Sequence, residues 1–305
     1  MLFEMKKQIS WPHLLLAVAV VAVWGSNFVV IKWGLAQLPP LLFATLRFAL
    51  VAFPLVLLLP RPAVPWRNLA GYGLCIGLGQ FGLLFLAMNG HIAPGLASLV
   101  VQTQVFFTIG LTLVLQGERP NRVQWVALLL AASGLAVIGA HTDAHTSVLG
   151  LALVLGAALA WAGGNLFSRA AGRVNMVAYV TWSSLWAAPP LALLSLAVEG
   201  WPRISTALIQ ADASAWAAVV WQSVGNSLFG YAAWGWLLAR YSAATITPMA
   251  LLVPVFGMGS AALALAEPLP AWKLGAAALV LSGLALNLLW PWLQKRRNVS
   301  DKNDL

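Results

Sequence analysis

The sequence predicts an all-α integral membrane protein, with ten transmembrane helices arranged as two inverted five-helix repeats. Three observations lead to this fold class: an apolar composition, apolar runs long enough to cross a bilayer, and an internal repeat with an odd number of helices. Apolar residues make up 61% of the 305 residues and charged residues only 8%, whereas soluble domains carry about 25% charged residues. Lipid is therefore the solvent that suits this chain, and backbone groups in lipid must pair within helices or closed barrels.

Ten apolar runs of about 20 residues, without the alternation of a strand, favour helices over a barrel. Proline, glycine and charged residues separate the runs, so consecutive helices are expected to be antiparallel neighbours. Only the stretch from Glu199 to Asp212 has room for a small surface element. In chain order, the predicted spans are His13–Gln37, Leu41–Leu59, Leu69–Met88, Pro94–Leu115, Val123–Ala140, Val148–Leu166, Val174–Val198, Ala213–Ala239, Ala243–Leu265 and Ala271–Leu293.

The net charge of +9 is distributed as in a membrane protein and predicts no nucleic-acid partner. If the spans alternate in direction, all but four of the 17 basic residues lie on one side of the membrane. This positive-inside bias predicts that both termini are cytoplasmic. The four exceptions are Lys32, Arg47, Arg203 and Lys273.

No pattern in the sequence indicates an enzyme or a cofactor. We find no nucleophile–base pairing, no metal-ligand spacing and no phosphate-binding loop. The single cysteine, Cys75, excludes an internal disulfide and a multi-cysteine metal site. We expect it to be a small apolar filler.

The second half of the chain repeats features of the first half in the same order. Ser-Gly-Leu-Ala occurs at 133–136 and again at 282–285, and Gly117-Glu118 matches Ala266-Glu267 at the same offset. Trp24 and Asn27 in span one match Trp161 and Asn165 in span six. These matches predict a first repeat over residues 1–141 and a second over 147–305, which ends in a short basic tail. Because five is odd, the halves are inverted, which is typical of secondary transporters with a midplane site between the halves.

Several motifs resemble one known family. Trp24-Gly-Ser-Asn-Phe-Val-Val-Ile-Lys32, Pro39-Pro40, Leu46-Arg47-Phe48 and the Gly-Glu-Arg after span four are similar to the drug/metabolite transporter superfamily, EamA family. The resemblance covers essentially the whole chain. It implies ten helices, a bacterial inner-membrane location and export of substrates such as cysteine, O-acetylserine or aromatic amino acids.

One segment departs from the family pattern. Family members often carry a proline in the fourth helix, as span nine does at Pro254, but span four has Gln102-Thr103-Gln104 there. We expect span four to bend less at this point, or to use its glutamines instead.

Polar side chains in mid-bilayer are costly and require an explanation. Asn27 and Asn165 are expected either to join helices by hydrogen bonds or to bind the ammonium and carboxylate of a zwitterion. Trp24 and Trp161 pack as core residues or form a cavity wall. The predicted substrate-binding set is Trp24, Asn27, Arg47, Gln80, Gln102, Gln104, Trp161, Asn165, Asn226 and Tyr231.

Arg47 is the most deeply placed basic residue, about 10 Å inside span two at 1.5 Å per residue. It is expected to hold backbone carbonyls near Pro39-Pro40 or, alternatively, to attract a substrate carboxylate. No acidic residue lies in mid-span, so no proton relay is expected in the core. Facilitated diffusion, or coupling through a helix-end group such as Glu118 or Glu267, is the expected mode.

The sequence therefore predicts an inner-membrane exporter of amino acids and related metabolites that works by alternating access. An exporter of drugs or nucleotide-type metabolites and a passive channel are the alternatives. The expected partners are the lipid bilayer and a small zwitterionic, amino-acid-like substrate, and a monomer suffices for this function. A structural protein would not need inverted repeats around polar midplane residues.

Overall fold

The computed structural model describes residues 9–116, 122–141, 146–241 and 243–303. Ten long helices, α1–α10, occupy the positions of the ten predicted spans. Their bounds are α1 Trp11–Leu35, α2 Pro40–Leu58, α3 Trp66–Met88, α4 Pro94–Leu115, α5 Arg122–Ala140, α6 Val148–Ala171, α7 Met176–Val198, α8 213–240, α9 243–265 and α10 Ala271–Asn303.

Nine of these helices are long and apolar enough to cross a membrane, counted over the described residues. The helix outside this group, α8, spans residues 213–240 but carries several polar residues in its middle. A further short helix, Trp201–Gln210, lies in the one stretch where the sequence left room for a surface element. The structure thus confirms the all-α, multi-pass fold class.

Side-chain caps explain where several helices begin. The carboxamide oxygen of Asn175 accepts hydrogen bonds from the first N–H groups of α7, and the Asp212 carboxylate does the same for α8. The Ser147 hydroxyl caps α6. Glu199 is a distant cap, because its carboxylate accepts from the N–H groups of Leu41 and Leu42 at the start of α2. Each cap satisfies backbone donors that have no partner within their own helix.

The helices pack in pairs that follow an inverted pseudo-twofold symmetry. Helix α2 packs on α7, and α5 packs on α10, so each of these pairs joins equivalent helices of the two halves. The contacts of α1 with α8 and α9 are matched by the contacts of α6 with α3 and α4. The two halves are therefore interleaved over the whole bundle instead of forming two separate bodies.

Equivalent helices also carry equivalent irregularities. The π-helical segment Leu74–Gly82 of α3 corresponds to Trp221–Phe229 of α8. The 3-10 segment Val101–Thr103 of α4 corresponds to Thr247–Leu251 of α9. The expectation that α4 bends less than α9, or uses its glutamines instead, stays a prediction; the 3-10 segment of α4 includes Gln102 and has three residues, against five in α9. Such breaks in a helix frequently mark functional regions.

Small residues allow the closest helix contacts. Gly77 of α3 lies against Ala187 of α7, and Gly73 lies against the backbone of Ser183. Gly134 and Gly283, in the repeated Ser-Gly-Leu-Ala motif, bring α5 and α10 together. Close approach of this kind supplies the van der Waals packing that joins helices in lipid.

We predict that Gly77→Ala destabilises the protein by about 1–3 kcal/mol, because the added methyl group overlaps Ala187. Gly110→Ala is the matched control, since no atom lies within 4 Å of a Cβ at that position. It should leave stability unchanged or raise it by up to about 1 kcal/mol. Thermal unfolding of both variants in detergent measures the difference, and equal melting temperatures would contradict the packing argument.

Candidate functional site

Four polar residues on one face of α8 form the polar centre of the bundle. We call Gln222, Ser223, Asn226 and Ser227 the α8 polar strip, and each is at most 6% exposed. The strip lies in the π-helical segment Trp221–Phe229 and faces α1 and α2. Because these side chains are buried in a membrane protein, their hydrogen bonds must come from neighbouring helices.

The carboxamides of Asn27 and Gln222 pair with each other. Gln222 Nε2 donates to Asn27 Oδ1 at 2.7 Å, and Asn27 Nδ2 donates to Gln222 Oε1 at 3.3 Å. This reciprocal pair joins α1 to α8 and agrees with the helix-joining interpretation of Asn27. Gln222 was not among the candidates from sequence, although it makes the more buried half of the pair.

Trp24 lies one turn from Asn27 and also contacts α8. Its indole Nε1 donates to the Asn226 carbonyl oxygen at 3.1 Å. Its ring packs near Tyr231 and Trp234, with ring centroids 5.9 Å and 5.2 Å away. Trp24, Asn226 and Tyr231, all members of the predicted substrate-binding set, therefore lie together, with an aromatic cluster beside the polar strip; their role in substrate binding stays a prediction.

Asn165 occupies the equivalent position in α6 but binds different partners. Its Nδ2 donates to Gln104 Oε1 at 2.7 Å and to Thr108 Oγ1 at 3.1 Å, both on α4. This contact also joins two helices. The matching asparagines of the two halves, Asn27 and Asn165, thus each form a hydrogen bond between helices. Gln104 and Asn165 thus lie together, on the other side of the bundle from Asn27.

Arg47 is fully buried and does not contact Pro39-Pro40, which corrects the first of its two expected roles. Its Nη2 donates to the Ser227 hydroxyl at 2.9 Å, and its guanidinium lies 3.5 Å from the centre of the Phe81 ring. Nε and Nη1 have no hydrogen-bond partner among the described residues. The cation–π contact is worth about 2 kcal/mol when desolvated, whereas burying an unpaired charge costs about 3–5 kcal/mol.

A small cavity lies beside Arg47, between α2 and α3 of the first half and α7 and α8 of the second. It has about 10 Å³ of free volume, which is the room that one water molecule needs. Side chains from all four helices line it, including Arg47, Phe48, Tyr72, Ser183, Ser227 and Tyr231. The cavity lies where the two halves meet, and in this conformation it is too small for an amino acid.

The remaining candidates from sequence do not line this cavity. Gln80 is buried in the π-helical segment of α3, and its Oε1 has no partner among the described residues. Gln102 is buried in the 3-10 segment of α4. Trp161 is partly buried and packs on the core. Their role in substrate binding stays a prediction.

Sequence reasoning missed Tyr72, Ser183 and Ser227 at the cavity. Small hydroxyl residues are common in membrane helices, so single serines carry little signal. The spacing of the α8 polar strip, at 222, 223, 226 and 227, is the pattern that could have found Ser227, because it places four polar side chains on one helix face.

A second polar cluster lies at one end of the bundle. We call this the Glu267 end; it holds the connections at 36–39, 89–93, 199–212 and 266–270, and the opposite end, with residues 9 and 303, is the terminal end. The Glu267 carboxylate accepts from the Gly95 N–H at 2.9 Å and from Lys273 Nζ at 3.0 Å. It therefore joins the start of α4 to the start of α10.

A larger cavity of about 350 Å³ opens beside Glu267 and is lined by Lys32, Lys273 and the segment 90–94 among others. Glu118, the residue that matches Glu267 in the first half, lies outside the described residues. No group of three metal-ligating side chains occurs in the part of the chain that the structure describes.

Ten membrane helices in two inverted halves around a polar centre are the architecture of a secondary transporter. Comparison with known proteins agrees. The profile of the EamA-like transporter family matches residues 11–140 and again 148–289. The chain therefore belongs to the EamA-like transporter family, and the protein is a membrane transporter and not an enzyme.

Individual relatives cover nearly the whole chain. A "Probable amino-acid metabolite efflux pump" of Salmonella typhimurium strain LT2 is 41% identical over 93% of this chain and 97% of that protein. A "Probable terminal-alkyne amino-acid exporter" of Streptantibioticus cattleyicolor is 31% identical over 88% of this chain and 91% of that protein. A solved structure described as "Crystal structure of protein" has a TM-score of 0.62 at 21% identity, over 92% of this chain and 97% of that one. That likeness supports the fold alone.

We predict that Asn27→Leu and Gln222→Leu each destabilise the protein by about 1–3 kcal/mol, because each leaves one buried carboxamide without its partner. The double variant should cost less than the sum of the two single changes, since it removes both polar groups. Thermal unfolding in detergent measures this coupling. Additive losses would contradict the reciprocal pair.

Proposed function

We propose that the protein exports amino acids and related small metabolites from the bacterial cytoplasm across the inner membrane by alternating access. In this mechanism a central cavity between the two repeats opens to one side of the membrane at a time. The repeats are those expected from sequence, residues 1–141 and 147–305. One observation carries the proposal, namely that the packing of α4 on α9 does not follow the pseudo-symmetry.

The contact between α4 and α9 that departs from the symmetry lies at the Glu267 end. Pro94–Val100 of α4 packs on Leu252–Leu265 of α9, with Ser98 against Gly257. The symmetry-related contact would join residues 104–116 of α4 to residues 243–251 of α9 at the terminal end. Packing of that extent is absent between these two segments over the residues that the structure describes. The bundle is thus closed between α4 and α9 at the Glu267 end only.

The 3-10 segments are suitably placed to act as hinges. In α4, Val101–Thr103 separates the part that packs on α9 from the part that packs on α6. In α9, Thr247–Leu251 precedes the part that packs on α1. Hinge residues that end one helical segment can absorb large dihedral changes while the rest stays packed. Two similar halves can then exchange conformations, so that the terminal end closes and the Glu267 end opens.

The orientation follows from the positive-inside bias, which supports cytoplasmic termini. The Glu267 end then faces outward, and the contact between α4 and α9 lies on the outer side of the bundle. A single chain supplies both halves of the cavity, so a monomer suffices.

The names of two relatives refer to amino acids, which supports the substrate class. A carrier of phosphorylated compounds needs several cations around its cavity, whereas Arg47 is the one cationic side chain among the described residues that line the cavity. Export of drugs or nucleotide-type metabolites, or passive conduction, is the alternative that the transport assay must exclude.

The mode of energy coupling follows from the placement of acidic residues. The acidic side chains that the structure describes, Glu199, Asp212 and Glu267, all lie at helix ends. We therefore infer facilitated diffusion, or coupling through Glu267, instead of a proton relay through the core.

We predict saturable counterflow of several amino acids in proteoliposomes that contain the purified protein. Vesicles are preloaded with unlabelled amino acids, and entry of labelled threonine, cysteine and tryptophan is followed. Flux without saturation or countertransport would indicate a channel. Exchange of phosphorylated metabolites but of no amino acid would overturn the proposed substrate class.

We predict opposite changes in accessibility at the two ends of α4 during transport. In a Cys75→Ser background, Ser98→Cys, which is fully buried, should react slowly with a membrane-impermeant maleimide added from outside. Glu267→Gln removes the charge held by Lys273 and should increase that reaction several-fold, because the closed end is loosened. Asp212→Asn, at the same end but outside the α4–α9 contact, should leave the reaction unchanged.

Labelling of Thr112→Cys with a permeant maleimide reports on the terminal end. Labelling at position 112 should fall under the conditions that raise labelling at position 98. Labelling that rises or falls at both positions together would contradict alternating access.

A further inference from the structure

We propose that the guanidinium of Arg47 is the binding site for the carboxylate of the transported molecule. This inference rests on the proposed transport function and specifies its substrate as a monocarboxylate. It depends on three features of the polar centre, over the residues that the structure describes: a buried charge without an acidic neighbour in the cavity lining, two guanidinium nitrogens without a partner, and the unpaired hydroxyl group of Ser183.

Arg47 forms no salt bridge with any acidic side chain that the structure describes. The residues that line the cavity beside it include no aspartate or glutamate. A fully buried guanidinium is retained in a membrane helix at high cost unless it pairs with an anion. A structural arginine would be expected to bind a carboxylate or several backbone carbonyls, and Arg47 makes a hydrogen bond to one serine. An external anion is the partner that this arrangement lacks.

The geometry of the guanidinium leaves its edges free. Phe81 covers one face of the planar group at 3.5 Å, and Phe48 lies 5.1 Å away. The face contacts use the positive charge without using any N–H group. Of the in-plane donors, Nη2 binds Ser227, whereas Nε and Nη1 have no partner among the described residues. Nε and Nη1 are therefore separate free donors to a carboxylate oxygen, and a two-point contact with both oxygens also needs the second N–H group of Nη2.

Hydroxyl groups from the opposite half of the protein complete the site. The Ser183 hydroxyl of α7 lines the same cavity and has no hydrogen-bond partner among the described residues. Tyr231 of α8 lines the cavity as well, as does Tyr72 of α3 from the half that contains Arg47. Because α2 and α3 belong to one half and α7 and α8 to the other, a carboxylate here would contact both halves. Its binding is therefore sensitive to their relative position, as a transported group requires.

The size of the cavity limits when the carboxylate binds. In this conformation the free volume of about 10 Å³ has room for no more than one water molecule. A carboxylate therefore fits only when the halves separate at the cavity. A single positive charge with hydroxyl neighbours suits a monocarboxylate better than a phosphate, which requires several cations.

The experiment compares each amino acid with its amide, its methyl ester and the corresponding decarboxylated amine in the counterflow assay. The intact protein should transport the carboxylate forms about 10–100-fold faster, the factor expected for a hydrogen-bonded charge. Arg47→Met should lose most amino acid transport, and its residual transport should no longer distinguish acid from amide. Arg47→Lys keeps the charge but loses the planar edge, so it should retain partial discrimination. Arg203→Gln, an exposed charge on the surface helix Trp201–Gln210, is the control and should behave like the unmodified protein.

Ser183→Ala is a milder variant in case Arg47→Met does not fold, and it should weaken discrimination about 3–10-fold. If Arg47→Met and Ser183→Ala distinguish acid from amide as the unmodified protein does, the inference is overturned while the amino acid exporter stands. If the unmodified protein exchanges no amino acid, the transport proposal fails separately. Thermal shift with acetate or propionate then tests the site alone, because stabilisation that Arg47→Met abolishes supports it and the absence of stabilisation refutes it.

Discussion

The constraint on which the structure depends is that lipid offers no hydrogen bonds, so every polar group inside the bundle must find its partner there. The α8 polar strip meets this constraint by contacts with two other helices. Gln222 pairs with Asn27 of α1, Ser227 accepts from Arg47 of α2, and the Ser223 hydroxyl donates to the Arg47 carbonyl oxygen at 3.0 Å. These bonds fix α8 between α1 and α2. Among the buried polar groups without a partner in the described residues, those of Arg47 and Ser183 line one cavity together.

Pseudo-symmetry supports the proposed exchange of conformations between the two halves. Equivalent helices share their pairing partners, their π-helical segments and their 3-10 segments. If the symmetry were complete, the bundle would be equally open or closed at both ends. The contact between Pro94–Val100 and α9 makes the two ends different, and the Glu267 carboxylate holds the start of α4 at that end. A protein whose halves can exchange these roles has two conformations of comparable free energy, which is the physical requirement for a carrier.

Much of the fold could be predicted because it depends on composition and periodicity. Each of the ten predicted spans corresponds to a long helix, since a run of about 20 apolar residues has few other stable arrangements in lipid. The site was only partly predictable. Asn27, Asn165, Trp24 and Tyr231 could be singled out from the sequence as polar or aromatic groups within the spans, but their partners could not. Side chains such as Gln222 and Ser183 come from distant parts of the chain, and sequence spacing gives no information about which helix lies opposite.

The sequence by itself determined the class of protein: its apolar runs, its charge distribution and its odd-numbered internal repeat leave an inverted-repeat membrane transporter as the consistent interpretation. Tertiary structure decided which polar groups pair and which stay free. The role of Arg47 shows the difference, because its depth in α2 was readable from the sequence, but its contact with Ser227 and its separation from Pro39-Pro40 were not. Helix rotation and packing set those contacts. Both depend on the surface shape of neighbouring helices, for example where Gly73 and Gly77 of α3 lie against α7.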